Sequence, residues 1–245
     1  MSQFDNLNTI KFLKLAAICS LLGATTTALL IFLPRPEVND FESQALLYQN
    51  SLYMTRLWIL FVHPQVNTIA MLGVCFLLFR KYPLQISLGT LFMFVWFYSE
   101  MYQQALVIDA VNQTWRPAYL NSTDEVDKMI NRTLIQGSAA FSDSLYFLVI
   151  YGFGFGSLLY GFAFIYEQTL AKWIGVSLIF IGVLSLASFL RYYLGLHFLN
   201  GIVDWIYTWV YPYLQPVVRI AIAIWILQRK DEFNSATKHP LPHLE

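Results

Sequence analysis

Apolar residues in this chain gather into long blocks instead of alternating, and the blocks have the length a lipid bilayer demands. About 20 residues of helix cross a hydrocarbon core. Six segments reach that length, at about 15–33, 57–79, 84–107, 144–166, 172–190 and 210–227. Stop signals separate them: Pro34-Arg35-Pro36 after the first, Arg80-Lys81 and then Pro83 between the second and third, a short turn over Glu167 to Lys172 between the fourth and fifth, and Arg229-Lys230 after the last. The pattern predicts an all-α fold, a six-transmembrane-helix bundle. Residues 191–209 are rich in Tyr, Trp and Phe and predict an additional interfacial or re-entrant helix before the last span. Two polar stretches, 34–56 and 111–143, read as loops; the first holds Glu37, Asp40 and Glu42 and room for a short amphipathic helix. Residues 1–230 thus form a single transmembrane domain. Residues 231–245 read as a disordered tail, with His239 and His243 beside Pro240 and Pro242.

Composition sharpens this picture. Apolar residues make up 57% of the 245, aromatic residues 17% and charged residues only 12%, against about 25% charged in soluble domains. That is too little charge for a water-facing surface, and the mean hydropathy of +0.53 agrees. Fifteen basic residues balance fifteen acidic ones, which argues against a nucleic-acid partner. Cys19 and Cys75 lie in apolar blocks without metal or redox spacing. Asp5 precedes the first block and no small-residue cleavage site precedes Pro34, so that block reads as a retained span rather than a signal peptide.

Charge also suggests an orientation. Lys11, Lys14, Arg80, Lys81, Lys172, Arg229, Lys230 and Lys238 fall on one side of the six-span layout, in short flanks. Arg35, Arg56, Arg116, Lys128, Arg132 and Arg191 are spread along longer stretches on the other. The positive-inside bias then places both termini in the cytoplasm and the loops 34–56 and 111–143 outside. Three Asn-x-Ser/Thr sequons, at Asn112, Asn121 and Asn131, either arise by chance in an Asn/Thr-rich stretch or mark an external loop.

Candidate chemistry comes from polar groups that lipid should not tolerate. The second span carries His63 and Asn67, four apart on one helix face, with Pro64 between them freeing a carbonyl near residue 60. The third carries Glu100, Gln103 and Gln104, with Asp109 beyond. The connector before the last span carries His197, Asn200, Gly201 and Asp204, a stripe at helical spacing. The last span carries Tyr211, Gln215 and Arg219, each four apart. These groups fall at mid-membrane or in the outer half, which nominates His63, Asn67, Glu100, Gln104, His197, Asp204, Gln215 and Arg219 as ligand-binding residues. The bland alternative is a neutralising Glu100–Arg219 pair, a His63 that merely caps the freed carbonyl, and an Arg191 that snorkels to headgroups. Gly152-x-x-x-Gly156, with Gly154, Gly161, Gly175 and Gly182, reads as close helix packing, not a nucleotide fingerprint. Trp96 and Trp225 read as core or lipid-facing.

The layout of one span, an acidic outer loop, the tight turn FRKYP, a long third loop, then LAKWIGVSLIFIGVLSLASFL and YLQPVVRIAIAIWILQRK resembles that of uncharacterised six-span bacterial membrane proteins grouped under a domain of unknown function. The resemblance covers roughly residues 11–230 and implies residence in a bacterial inner membrane; it brings no catalytic residues. The residues themselves favour a protein that binds a lipid, quinone or small amphiphile in an outward-facing polar pocket, with membrane lipids as neighbours and homo- or hetero-oligomers open to it. A structural or partner-binding subunit contacting others through 111–143 is the alternative. An enzyme is less favoured. A metal hydrolase would draw ligands from His63, His197, Glu100 and Asp204, with no HExxH motif. A b-type haem would need His63 and His197 as axial ligands. The cofactor is left unknown.

Overall fold

The computed structural model describes residues 3–238, and all regular structure among them is helical. The chain forms α1 (Gln3–Phe32), a short α2 (Phe41–Ala45) continued by a 3-10 turn, α3 (Ser51–Leu78) and α4 (Pro83–Leu106). A π-helical stretch over Val107–Trp115 leads into α5 (Arg116–Asn121). Then come α6 (Glu125–Ile165), α7 (Leu170–Tyr193), α8 (Asn200–Trp209) and α9 (Tyr211–Lys238).

Local chemistry sets the starts of these helices. Asp40 and Ser43 form a reciprocal capping box on α2, Asn50 caps α3 through the Tyr53 amide, and Asp124 caps α6 through the Val126 amide. Pro83 occupies the first turn of α4, where no amide donor is needed.

Four helical segments are long and apolar enough to cross a membrane: Leu7–Phe32, Ser51–Leu78, Glu125–Ile165 and Leu170–Tyr193. The pair His197–Trp209 and Tyr211–Glu232 passes the same test only together and is bent by 56°, giving a fifth if it is one span. The third expected span, 84–107, corresponds to α4 and falls short of that apolarity. Its outer half is built from Trp96, Tyr98, Glu100, Tyr102, Gln103 and Gln104, whose polar atoms offset the aliphatic first half.

At one end of the bundle, Glu167 in the α6–α7 turn accepts from Lys81 Nζ (2.6 Å), Tyr82 Oη (3.0 Å) and Arg229 Nη2 (3.1 Å). This clasp ties the α3–α4 turn, the α6–α7 turn and α9 together. Burial alone would raise the Glu167 carboxyl, but the hydrogen bonds from Lys81 and Tyr82 and the charges of Lys81 and Arg229 outweigh it and hold the group below its ordinary range. Toward the other end Gln103 Nε2 donates to the Ser142 carbonyl (2.9 Å). From Tyr82 to Gln103, α4 therefore runs alongside α6 from Glu167 back to Ser142.

The core between the helices is built from Leu13, Val74, Ile86, Tyr160, Phe164, Ile174 and Ile226, all fully buried. Small residues let the backbones approach. A Cβ at Gly152 would lie 2.7 Å from the Phe92 carbonyl of α4, and one at Gly161 would lie 2.9 Å from the Gly175 carbonyl of α7. The packing role expected for these glycines holds.

The stretch 111–143, expected as a loop, is helical almost throughout, and the short helix anticipated within 34–56 is present as α2. These parts meet in a small second core of Ala45, Tyr119 and Ile135, flanked by Phe41, Trp115 and Leu120. Tyr119 donates to Glu42, and Arg132 lies over the Phe41 ring at 4.7 Å. Asn112 is buried, donating to the Val107 carbonyl and accepting from Arg116, whereas Asn121 is exposed at the end of α5. Helix α9 continues to Lys238, through the first part of the segment expected as a tail; His239 and His243 lie outside the described residues.

Candidate functional site

A cavity of about 250 Å³ lies between α3, α4, α6, α7, α8 and α9. Its polar lining is His63, Glu100, Ser185, Gln215, Arg219 and the tyrosines 146, 207 and 211; Trp96, Val149, Ile150 and Phe153 supply the apolar wall. His63 enters from α3, seven residues below Arg56, or about 10 Å along the axis. Arg56 itself donates to the Leu33 carbonyl at the end of α1 (2.9 Å). The polar groups are thus sunk inside the bundle.

Asn67 is the hub of one wall. It is 1% exposed. Its Nδ2 donates to the His63 carbonyl at 2.8 Å and lies 3.1–3.2 Å from both ring nitrogens of His63. One amide cannot donate in plane to both nitrogens, so it sits over the imidazole face while its hydrogen bond goes to the carbonyl. Asn67 Oδ1 accepts from Arg219 Nη1. Room for this amide comes from α1: a Cβ at Gly23 would fall 2.2 Å from Asn67 Oδ1.

His63 Nδ1 meets Thr26 Oγ1 at 2.8 Å. The Thr26 hydroxyl also lies 3.0 Å from the Leu22 carbonyl and 3.1 Å from that of Gly23. Its single proton goes to a carbonyl, so His63 Nδ1–H is assigned as the donor and Nε2 is left as an acceptor. His63 therefore binds Thr26 instead of the carbonyl that Pro64 frees. Gln65 supplies a donor nearby, reaching the Phe61 carbonyl at 3.0 Å.

The two charged groups are held separately. Glu100 sits one turn beyond Trp96 on α4, and both side chains line the cavity. Arg219 is anchored through Asn67, and its backbone carbonyl accepts from Ser20 Oγ at 2.7 Å. Its Nε has no partner. Among the described residues no ion pair joins Glu100 to Arg219, although both line the same cavity. On α9, Gln215 Nε2 donates to Tyr211 Oη at 2.6 Å.

Of the eight residues nominated from sequence, the cavity brings together His63, Glu100, Gln215 and Arg219, with Asn67 directly behind them. Gln104 is buried one turn further along α4, outside the cavity, and its Oε1 has no partner. His197 and Asp204 do not line the cavity. Their stripe on and before α8 is exposed, because Val203 takes the inward position. Asp204 pairs with Arg191, so Arg191 has a protein partner where a headgroup contact was expected. The four residues considered as metal ligands, and the two histidines considered for haem, are thereby split between the cavity and the surface. Among the described residues no group of three or more His, Cys, Asp and Glu side chains gathers as a metal site. Sequence reasoning missed Gly23, Thr26, Tyr146, Ser185 and Tyr207, and read Trp96 as core or lipid-facing. Only the Thr25-Thr26-Thr27 run inside an apolar block gave a hint.

Several long apolar helices around a polar cavity fit a membrane protein. No protein-family model, curated protein or solved structure matches the chain.

Proposed function

We propose that the chain is a six-span integral membrane protein that binds a small amphiphile in its polar cavity. The count adds to the four apolar helices the bent pair α8–α9 and α4. The case for α4 is geometric: it runs beside α6 from the Glu167 clasp to Ser142, so it covers the same depth as a helix that is itself apolar enough to cross. Of its polar groups, Glu100 lines the cavity, Gln103 donates to the Ser142 carbonyl and Gln104 is buried. Both termini then lie on the side of the clasp, with Lys81, Lys172, Arg229 and Lys230, and the positive-inside bias makes that side cytoplasmic. The six-span layout resembling an uncharacterised bacterial group, and residence in a bacterial inner membrane, belong to the same reading.

One observation carries the binding role: a half-buried carboxyl group and a half-buried guanidinium share a cavity with no ion pair between them. A purely structural pair would close to contact, since groups held apart gain less attraction to offset their desolvation. Lipids, quinones and other amphiphiles have access to such a site from the bilayer. Native mass spectrometry of the purified full chain tests this. The wild type should retain a small molecule that Glu100→Gln and Arg219→Met lose while remaining folded. Equal retention in all three, or none in the wild type, overturns the reading.

A partner-binding role has a separate observation in its favour. Val126, Met129, Ile130 and Leu134 form an exposed apolar stripe on the first turns of α6, beyond the part of the helix paired with α4.

A further inference from the structure

We infer that the cavity's ligand is a short zwitterion, carrying an ammonium at one end and a phosphate or carboxylate at the other. The inference rests on the binding role proposed above and names the chemistry of the occupant. The two groups stand on different helices with no ion pair between them: Asn67 holds Arg219 of α9 from α3, and Glu100 lines the cavity from α4. Asn67 is itself pinned by the His63 carbonyl and by the space Gly23 leaves, so the guanidinium cannot swing without breaking that wall.

A ligand of one charge would satisfy one group and leave the other unmatched in the cavity. A neutral ligand would leave both. A zwitterion satisfies both at once.

The surroundings assign an end to each charge. Glu100 shares its cavity with Trp96, Phe153 and three tyrosines, a combination of acid and aromatic rings that favours an ammonium through charge and cation–π attraction. Arg219 offers a planar fork of donors, backed by the amide of Gln215, which suits a phosphate or carboxylate. A volume of about 250 Å³ equals roughly eight waters at about 30 Å³ each. That accommodates a headgroup-sized molecule. The same chemistry occurs in a lipid headgroup and in a free solute.

Calorimetric titration of the full chain in phosphatidylglycerol nanodiscs separates these cases. The probes are phosphocholine and phosphoethanolamine as zwitterions, tetramethylammonium and inorganic phosphate as the two halves, and a short-chain ubiquinone as a neutral amphiphile. A parallel arm compares phosphatidylethanolamine nanodiscs by native mass spectrometry. The inference expects at least one zwitterion, free or as retained phosphatidylethanolamine, to bind about tenfold or more tightly than either half. Glu100→Gln should weaken zwitterion binding without weakening that of inorganic phosphate, and Arg219→Met should weaken zwitterion binding without weakening that of tetramethylammonium. Binding of free phosphoethanolamine points to a solute, and retention of the lipid alone to a headgroup; either supports the inference. Ubiquinone binding with no zwitterion binding overturns it while leaving the amphiphile site standing. Binding of no probe overturns both. If a variant fails to fold, the ranking of probes on the wild type decides alone.

Discussion

Asn67→Ala is the most informative single change, because Asn67 joins both sides of the cavity wall. The substitution removes the acceptor of Arg219 Nη1, and Arg219 Nε already lacks one. Leaving a buried charged donor unmatched costs about 2–3 kcal/mol. The hollow left by the amide adds about 1 kcal/mol, since Gly23 and His63 cannot collapse fully into it. The total is about 3–4 kcal/mol. Arg219→Met should cost less, about 1 kcal/mol, because it removes the charge together with its need for a partner. Combining the two should cost about 2–3 kcal/mol, well below the sum, giving a coupling near 2 kcal/mol. Reversible unfolding in mixed micelles measures all three variants against the wild type. Costs that add to within about 0.5 kcal/mol would show that Asn67 does not hold Arg219, and the argument for separated charges would fail with it.

Other outcomes follow from the fold. Glu167→Gln should destabilise by about 1–3 kcal/mol at neutral pH. Because the folded carboxyl titrates below its ordinary 4.5, the contribution is complete above that value and fades as pH falls through the lower folded one, so wild type and variant should converge in acid-range thermal unfolding. Gly161→Val should drive α6 from the Gly175 carbonyl of α7 and cost about 1–3 kcal/mol, read as a lower unfolding temperature. With Cys19 and Cys75 replaced, Lys81→Cys and Asp109→Cys should react with an impermeant maleimide from opposite faces of sealed vesicles if α4 crosses; labelling from one face would remove it from the span count.

The lengths of apolar blocks made the bundle legible, since a bilayer imposes a length that few other environments do. The candidate site was legible where an ionisable group interrupts such a block: His63, Glu100 and Arg219 all reach the cavity. The stripe of His197 and Asp204 was equally visible, but periodicity identifies a face without saying which way it points. Val203, on a neighbouring face, turned inward, and Arg191 supplied the acid with a partner. Two features had no local signal. Gly23 matters only because Asn67, far away in sequence, approaches it. The polar stretch 111–143 lacks the apolar period of a span, and it is helical because it packs on α2 and on itself.

The length of α6 has a mechanical consequence. Its 41 residues make an unbroken rod of about 60 Å, with one end in the small aromatic core around Tyr119 and Ile135 and the other leading straight into the Glu167 junction. Tilting such a rod by about 5° moves its far tip by roughly 5 Å. Tyr146 and Phe153 ride on this lever between its ends, so a push on the rim would reach the chamber and the opposite face in one stroke.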